Sequence, residues 1–184
     1  AIRELKRTEF KELFKEEIAK QDDFVQDCTI DTDLEILIPD DYVESITERL
    51  SLYQRLDNCE TDEELELMKQ EMHDRFGPIP QQVEDLFITV GCRKLAVALG
   101  FEKMSLKENT QRCFFINRAD SPYFESATFQ KLIEFLQTGT NNAKLKQTGK
   151  LFMLIANNMN SMEEMHRFLQ SMHTFCFSSV KIPQ

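Results

Sequence analysis

The chain has little of what elaborate loops and membrane spans require. Its 184 residues include only 5 glycines, 5 prolines and no tryptophan, which favours a helix-rich protein with few special turns. No apolar run approaches the ~20 residues of a transmembrane helix, so no membrane partner is expected. The start of the chain has no signal-peptide pattern, and we therefore expect a cytoplasmic protein.

A cysteine framework is also missing. The 5 cysteines are scattered and odd in number, none forms a CxxC pair, and none lies at metal-ligand spacing from the 3 histidines. We therefore expect free, buried thiols in a reducing compartment. His166 and His173 would need two further ligands to hold a metal, so they are interpreted as half-buried helix residues.

The chain is short of positive charge. Its 22 Lys and Arg residues face 32 Asp and Glu residues, which gives a formal net charge of −10. Because DNA binding requires neutralisation of phosphates, this balance argues against direct nucleic-acid binding and favours a basic protein surface as partner. The nearest approach to a basic patch is Lys144, Lys146 and Lys150, which we interpret as a solvated strand edge.

Signatures of catalysis are absent from the sequence as well. It contains neither GxxxxGK[ST] nor GxGxxG for phosphates, and neither GxSxG nor HExxH. We therefore predict that this chain is not an enzyme and holds no cofactor. An enzyme whose site is assembled from distant residues stays open as an alternative, and a deep pocket with perturbed carboxylates would reveal it.

What the sequence does contain is helical periodicity followed by short alternating runs. Amphipathic spacing predicts helices over residues 2–20, 42–57, 62–76, 81–99, 126–137 and 162–175. Alternation predicts strands over residues 28–38, 104–107, 113–117, 145–147 and 151–155. The expected fold is α+β, with a helical N-terminal half and short antiparallel strands in the C-terminal half. Residues 1–22 are expected to form a linker helix before one compact domain over 23–184.

Local signals mark the ends of several helices. Thr61, with Glu64 three residues later, has capping-box spacing, and glycines at 77 and 100 are expected to end the helices before them. The residues expected to form the apolar stripe of the helix over 42–57 are Val43, Ile46, Leu50 and Tyr53.

The most unusual feature is an acidic stretch from Asp57 to Asp74, which holds eight acids and a single lysine. The helix dipole favours acids in a first turn, which accounts for those at 62–64 without any function. Glu71 and Asp74 are different, because they lie in the last turns, where carboxylates oppose the dipole, and share a face. They form either a solvated face with local pairing or a two-carboxylate prong for Arg side chains of a partner.

Three ordered blocks resemble a known family. The run Pro39-Asp40-Asp41-Tyr42-Val43, followed by Arg49-Leu50-Ser51-Leu52-Tyr53 and Arg55-Leu56, resembles the opening of the C-terminal domain of bacterial transcription-repair coupling factors (Mfd). The run from Glu71 to Pro80, EMHDRFGPIP, is similar to that domain's ElxDRFGplP signature. The motif residues to which the resemblance assigns a structural role are Arg49, Tyr53, Arg75, Phe76, Gly77 and Pro78.

The resemblance implies regulation rather than catalysis. Members of the family are ATP-driven translocases on double-stranded DNA that displace stalled RNA polymerase and recruit UvrA for nucleotide excision repair. Their ATP and magnesium sites lie upstream, and residues 1–22 here look like the linker helix from that motor. The family's C-terminal domain docks on a UvrB-like module of the same chain and masks the UvrA-binding surface. The interface acids of the family correspond to Glu71 and Asp74.

Two simpler interpretations of the same residues remain open. The chain would instead be a module that contacts RNA polymerase or UvrA directly, in which case the fragment alone would bind that partner. Alternatively, Asp74 and Arg75 would only cap and brace the turn formed by Phe76, Gly77 and Pro78.

Overall fold

The structure is a computed structural model that describes residues 24–139 and 142–178. The helices are α1 (Ile46–Asn58), α2 (Asp62–Phe76), α3 (Gln81–Leu99), α4 (Ala127–Gln137) and α5 (Met162–Phe177), with a 3-10 helix at Pro122–Glu125. The strands are β1 (Thr29–Thr32), β2 (Phe101–Lys107), β3 (Thr110–Phe115), β4 (Ala143–Thr148) and β5 (Leu151–Asn157). The helix predicted over 2–20, and with it the linker over 1–22, lies outside the described residues.

The five strands form one mixed sheet in the order β1-β2-β3-β5-β4. The pairs β2-β3, β3-β5 and β4-β5 are antiparallel, whereas β1 runs parallel to β2, with Thr29 opposite Lys103. Helices α1 to α3 lie between β1 and β2 in sequence and provide the crossover that a parallel pair needs. The α+β class is confirmed. The strand predicted over 28–38 includes β1, but its parallel pairing with β2 departs from the antiparallel strands expected of the sequence.

Strand β1 is much shorter than the predicted strand over 28–38. Its last pair joins Thr32 to Leu106, and β2 ends one residue later. The backbone N–H of Asp33 still donates to the carbonyl oxygen of Leu106 at 3.3 Å, but the strand pairing does not continue beyond it. The chain turns away instead, with Thr32 Oγ1 accepting a hydrogen bond from the backbone N–H of Leu34 at 3.1 Å. The alternation of side chains from which the strand over 28–38 was predicted thus extends past the end of the hydrogen-bonded strand.

Helix α1 begins at Ile46, four residues later than the prediction of 42. Ser45 caps it by accepting a hydrogen bond from the backbone N–H of Glu48. Arg49 donates to the carbonyl oxygens of Val43 and Glu44 at 2.6 and 3.2 Å. These carbonyls are therefore held by a side chain, and the preceding residues form a turn.

The apolar stripe predicted for α1 is confirmed only in part, because Val43 is buried and Tyr53 packs against the same core, but the other two residues are exposed. Ile46 and Leu50 are 67% and 58% exposed, whereas Leu52 and Leu56 are each 1% exposed. The backbone N–H of Ile38 donates to Tyr53 Oη at 2.7 Å and helps tie α1 to the preceding loop. In this orientation Leu52 and Leu56, about 120° around the helix from Ile46 and Leu50, face the interior.

The predicted helix ends are confirmed where a local hydrogen bond defines them. Thr61 Oγ1 accepts from the backbone N–H of Glu64 at 3.1 Å, and the Glu64 carboxylate accepts from the backbone N–H of Glu60 at 2.7 Å. Gly77 and Gly100 follow α2 and α3, and both have a φ of 92°. That backbone conformation is open to glycine and strained for other residues.

The structure has two apolar cores joined by α3. The sheet core lies between one face of the sheet and helices α3, α4 and α5. The helical core lies among α1, α2 and the first half of α3. Within α3, Val83 and Phe87 belong to the helical core, while Cys92, Ala96 and Leu99 belong to the sheet core. Because both cores share this helix, the position of α2 depends on packing against α3.

The cysteines are free, as the sequence predicts, and four of the five are buried. Burial raises the pKa of Cys28 and Cys92 to about 12, and that of Cys176 to about 11. Cys59 at the end of α1 is only partly buried. In the described part of the chain, no group of three or more His, Cys, Asp or Glu residues is placed to hold a metal ion. None of the helices in the described ranges combines the length and hydrophobicity that spanning a bilayer requires.

Candidate docking surface

The outward side of α2 carries Leu67, Glu71 and Asp74 at helical positions i, i+4 and i+7. This spacing places them on one stripe of the helix. Leu65, Met68 and Met72 on the other side are buried in the helical core. Leu67 is 67% exposed, an unusual position for a large apolar side chain. We call these three residues the α2 stripe.

Glu71 already has a partner inside the chain. Its Oε2 lies 2.5 Å from the Arg55 guanidinium on α1, and the two side chains are 41% and 45% exposed. An ion pair at this exposure contributes at most about 1 kcal/mol to stability. The Glu71–Arg55 pair therefore joins α1 to α2 without making Glu71 unavailable to a second cation. The sequence did not reveal Arg55 as the partner of Glu71, because nothing local indicates that α1 and α2 meet there.

Asp74 is the more accessible of the two acids. Its side chain is 84% exposed, and its Oδ1 lies 3.8 Å from Nδ1 of His73. The positive charge of Arg75 is directed elsewhere, because its guanidinium pairs with Glu48 of α1 and lies over the Phe76 ring at 4.7 Å. Asp74 thus leaves a carboxylate in solvent near the negative end of the α2 dipole, an unfavourable position for an unpaired acid.

The turn after α2 is held by Tyr42. The Tyr42 hydroxyl lies 3.2 Å from the carbonyl oxygen of Met72 and 3.0 Å from that of Gly77. Its ring packs edge-on against Phe76 with centroids 5.7 Å apart. These contacts fix the C-terminal turn of α2, and with it the direction of Asp74. Pro78 follows this turn and is exposed.

The motif residues and the α2 stripe thus have different environments. Arg49, Tyr53, Arg75, Phe76 and Gly77 join α1, α2 and the preceding loop through the contacts above. The α2 stripe faces outward. A shallow cavity of about 520 Å³ adjoins the stripe between α1 and α2, and its lining includes Arg55, Leu67 and Glu71. This arrangement suits a partner protein that presents an apolar side chain next to a cation. It suits less well an enclosed active site for a small molecule.

Known proteins resemble this chain over most of its length. Residues 32–126 match the family model described as TRCF domain. The transcription-repair-coupling factor of Rickettsia bellii is 34% identical over 143 residues, which cover 77% of this chain and 12% of that protein. The corresponding protein of Rickettsia conorii is 31% identical over 156 residues, covering 82% and 13%. The chain therefore spans only 12–13% of the length of these relatives.

A solved structure has the same fold. It is the crystal structure of the C-terminal domain of a transcription-repair coupling factor, with a TM-score of 0.66 and 17% sequence identity. The match covers 83% of this chain and 96% of that one. At this identity the likeness supports the architecture alone.

Proposed function

Because the chain belongs to the TRCF domain family, we propose that it is the autoinhibitory domain of a DNA translocase that couples transcription to nucleotide excision repair. It docks through the α2 stripe on a UvrB-like module of its parent protein and masks the surface that UvrA binds. ATP and magnesium act in the parent's motor, and this domain holds neither. RNA polymerase and UvrA are partners of the parent protein as a whole.

The observation that carries this proposal is the solvent position of Asp74 on the same stripe of α2 as exposed Leu67. A carboxylate that is 84% exposed contributes little to the stability of the free domain. In a docked state, an Arg of the UvrB-like module would bind Asp74, and Leu67 would leave water. Glu71 would then lie between Arg55 and a second guanidinium, as a carboxylate with two oxygens permits.

The decisive variant is Asp74→Ala in the full-length parent protein. Truncating one partner of a buried charge pair costs about 2–5 kcal/mol, and about 1.4 kcal/mol is tenfold in an equilibrium. We expect UvrA affinity to rise by at least tenfold, while the melting temperature of the 184-residue chain stays unchanged. Glu163→Ala, which removes an exposed acid from the first turn of α5, is the matched control.

Three results would contradict the proposal. Unchanged UvrA affinity in Asp74→Ala would remove the masking role. A large fall in melting temperature would indicate that Asp74 braces the turn after α2 instead. Tight binding of UvrA by the 184-residue chain alone would favour the direct-binding alternative.

A further inference from the structure

The outer face of the sheet, which points away from the sheet core, gathers basic residues that are far apart in sequence. On the inner side, a cross-strand row joins Met104, Cys113, Leu154 and Leu145, all of which pack in the sheet core. Because side chains alternate along a strand, the flanking positions lie on the outer face. Two adjacent rows define this face.

The first row runs across β1, β2, β3, β5 and β4 as Thr29, Lys103, Phe114, Met153 and Lys146. The second row runs in the same order as Asp31, Ser105, Arg112, Ile155 and Lys144. Each row therefore has an apolar residue on β5, with a cation on the neighbouring strand β4 and another on β2 or β3. We call these two rows the outer sheet face.

The contacts at this face leave most of its cations available. Lys107, at the margin, pairs with Asp31 at 2.7 Å, and this hydrogen bond lowers the pKa of Asp31. Lys103 Nζ lies over the Phe114 ring at 5.7 Å. Across the described ranges, none of the ion pairs involves Arg112 or the lysines of β4. The face is thus cationic on a chain whose net charge is −10.

The part of the face that lies on β5 between the cations, which we call its centre, is more apolar than a sheet surface in water requires. Met153 and Ile155 are 7% and 9% exposed but belong to neither core, and Leu151 at the end of β5 is 46% exposed. A sheet with one solvated face normally alternates apolar residues inward and polar residues outward. Long basic side chains can cover such a centre with their stems and move aside when a partner arrives.

We propose that the outer sheet face is a second docking surface, which binds an amphipathic helix of a partner protein with an apolar stripe and acidic borders. Three strand spacings of ~4.8 Å separate Lys103 on β2 from Lys146 on β4, a span of ~14 Å, whereas Arg112 on β3 lies two spacings, ~10 Å, from Lys144 on β4. A helix with side chains is ~10–12 Å wide. Its apolar stripe would lie on the side chains of β5, and its carboxylates would reach Lys103 and Arg112 on one side and the β4 lysines on the other.

A single-stranded nucleic acid fits the same face less well. Such ligands stack successive bases on several aromatic side chains, and Phe114 is the one aromatic residue in the two rows. The aliphatic centre on β5 offers little to a base. Its combination with flanking cations matches apolar and acidic side chains on one helix. The outer sheet face also belongs to a different layer from the α2 stripe, so both surfaces can act independently.

The test uses the 184-residue chain and a fluorescein-labelled helical peptide of about 18 residues, with leucines on one face and glutamates on both borders. Fluorescence anisotropy should show saturable binding that weakens with salt. Lys103→Glu combined with Lys146→Glu should weaken it at least tenfold. Lys131→Glu combined with Arg167→Glu, which changes the net charge equally on α4 and α5, should have a much smaller effect.

Chemical-shift mapping of the wild-type chain keeps the proposal testable if the charge-reversed variant does not fold. The perturbed amides should lie on β2, β3, β4 and β5.

No binding of the glutamate peptide, equal weakening in both double variants, or shifts outside the sheet would overturn the proposal. Tighter binding of an oligo-dT at the same lysines would replace the proposed helix with a single-stranded nucleic acid. A dimer of this chain that weakens in Lys103→Glu with Lys146→Glu would replace it with a second copy. Asp74→Ala should leave peptide binding unchanged, which separates this test from that of the α2 stripe.

Discussion

Removing one hydroxyl with Tyr42→Phe should loosen the end of α2 while leaving the sheet intact. The hydroxyl lies 3.2 and 3.0 Å from the carbonyl oxygens of Met72 and Gly77, and the ring contact with Phe76 would persist in the variant. The carbonyl oxygen of Gly77, which follows the last helical residue Phe76, has no intrahelical partner, so Tyr42 supplies one that is otherwise missing.

The magnitude follows from the burial of this contact. A partly buried hydrogen bond contributes about 0.5–1.5 kcal/mol, and an unsatisfied buried carbonyl adds a penalty. We expect a loss of about 1–2 kcal/mol, which corresponds to roughly 2–8 °C in the melting temperature of a domain of this size. Ser171→Ala, which removes an exposed hydroxyl from the carbonyl oxygen of Arg167, should cost well under 1 kcal/mol.

The assay combines thermal unfolding with hydrogen exchange. Amides near Gly77 should exchange faster in Tyr42→Phe, whereas amides of β3 and β5 should keep their protection, because Tyr42 packs against the helical core and these strands pack in the sheet core. An unchanged melting temperature would refute the assigned role of the hydroxyl. Faster exchange spread evenly over both cores would refute the reasoning that the contact acts locally.

Two further predictions concern the thiols and a buried glycine. In native protein, a thiol reagent should label Cys59 first and the four buried cysteines only on unfolding; a fast phase that survives in Cys59→Ser would contradict the burial pattern. Gly100→Ala should cost at least ~3 kcal/mol, because a Cβ there would lie 2.2 Å from the buried ring of Tyr123. Gly139→Ala, with a φ of +70° and nothing within 4 Å of its Cβ, should cost only about 1 kcal/mol; equal losses in thermal unfolding would show that backbone strain alone decides.

For the docking surface, the sequence indicated the two acids but not their different surroundings. Glu71 and Asp74 were expected to act as an equivalent pair on one face. The structure places Arg55 against Glu71 and leaves Asp74 in solvent. The contact between α1 and α2 gives the two acids different surroundings. It joins Arg55 to Glu71, whose relative position no local sequence pattern encodes. Their role in docking stays a prediction.

The sequence by itself determined the features that depend on neighbours along the chain. The caps at Thr61 and Gly77 follow from hydrogen bonds and backbone angles within a few residues, and they lie where the residue types predict. Only the tertiary structure decided the parallel pairing of β1, the burial of Leu52 in place of Leu50, and the gathering of dispersed cations on the outer sheet face. Each of these depends on strand register or helix rotation between distant segments, which composition and periodicity do not specify.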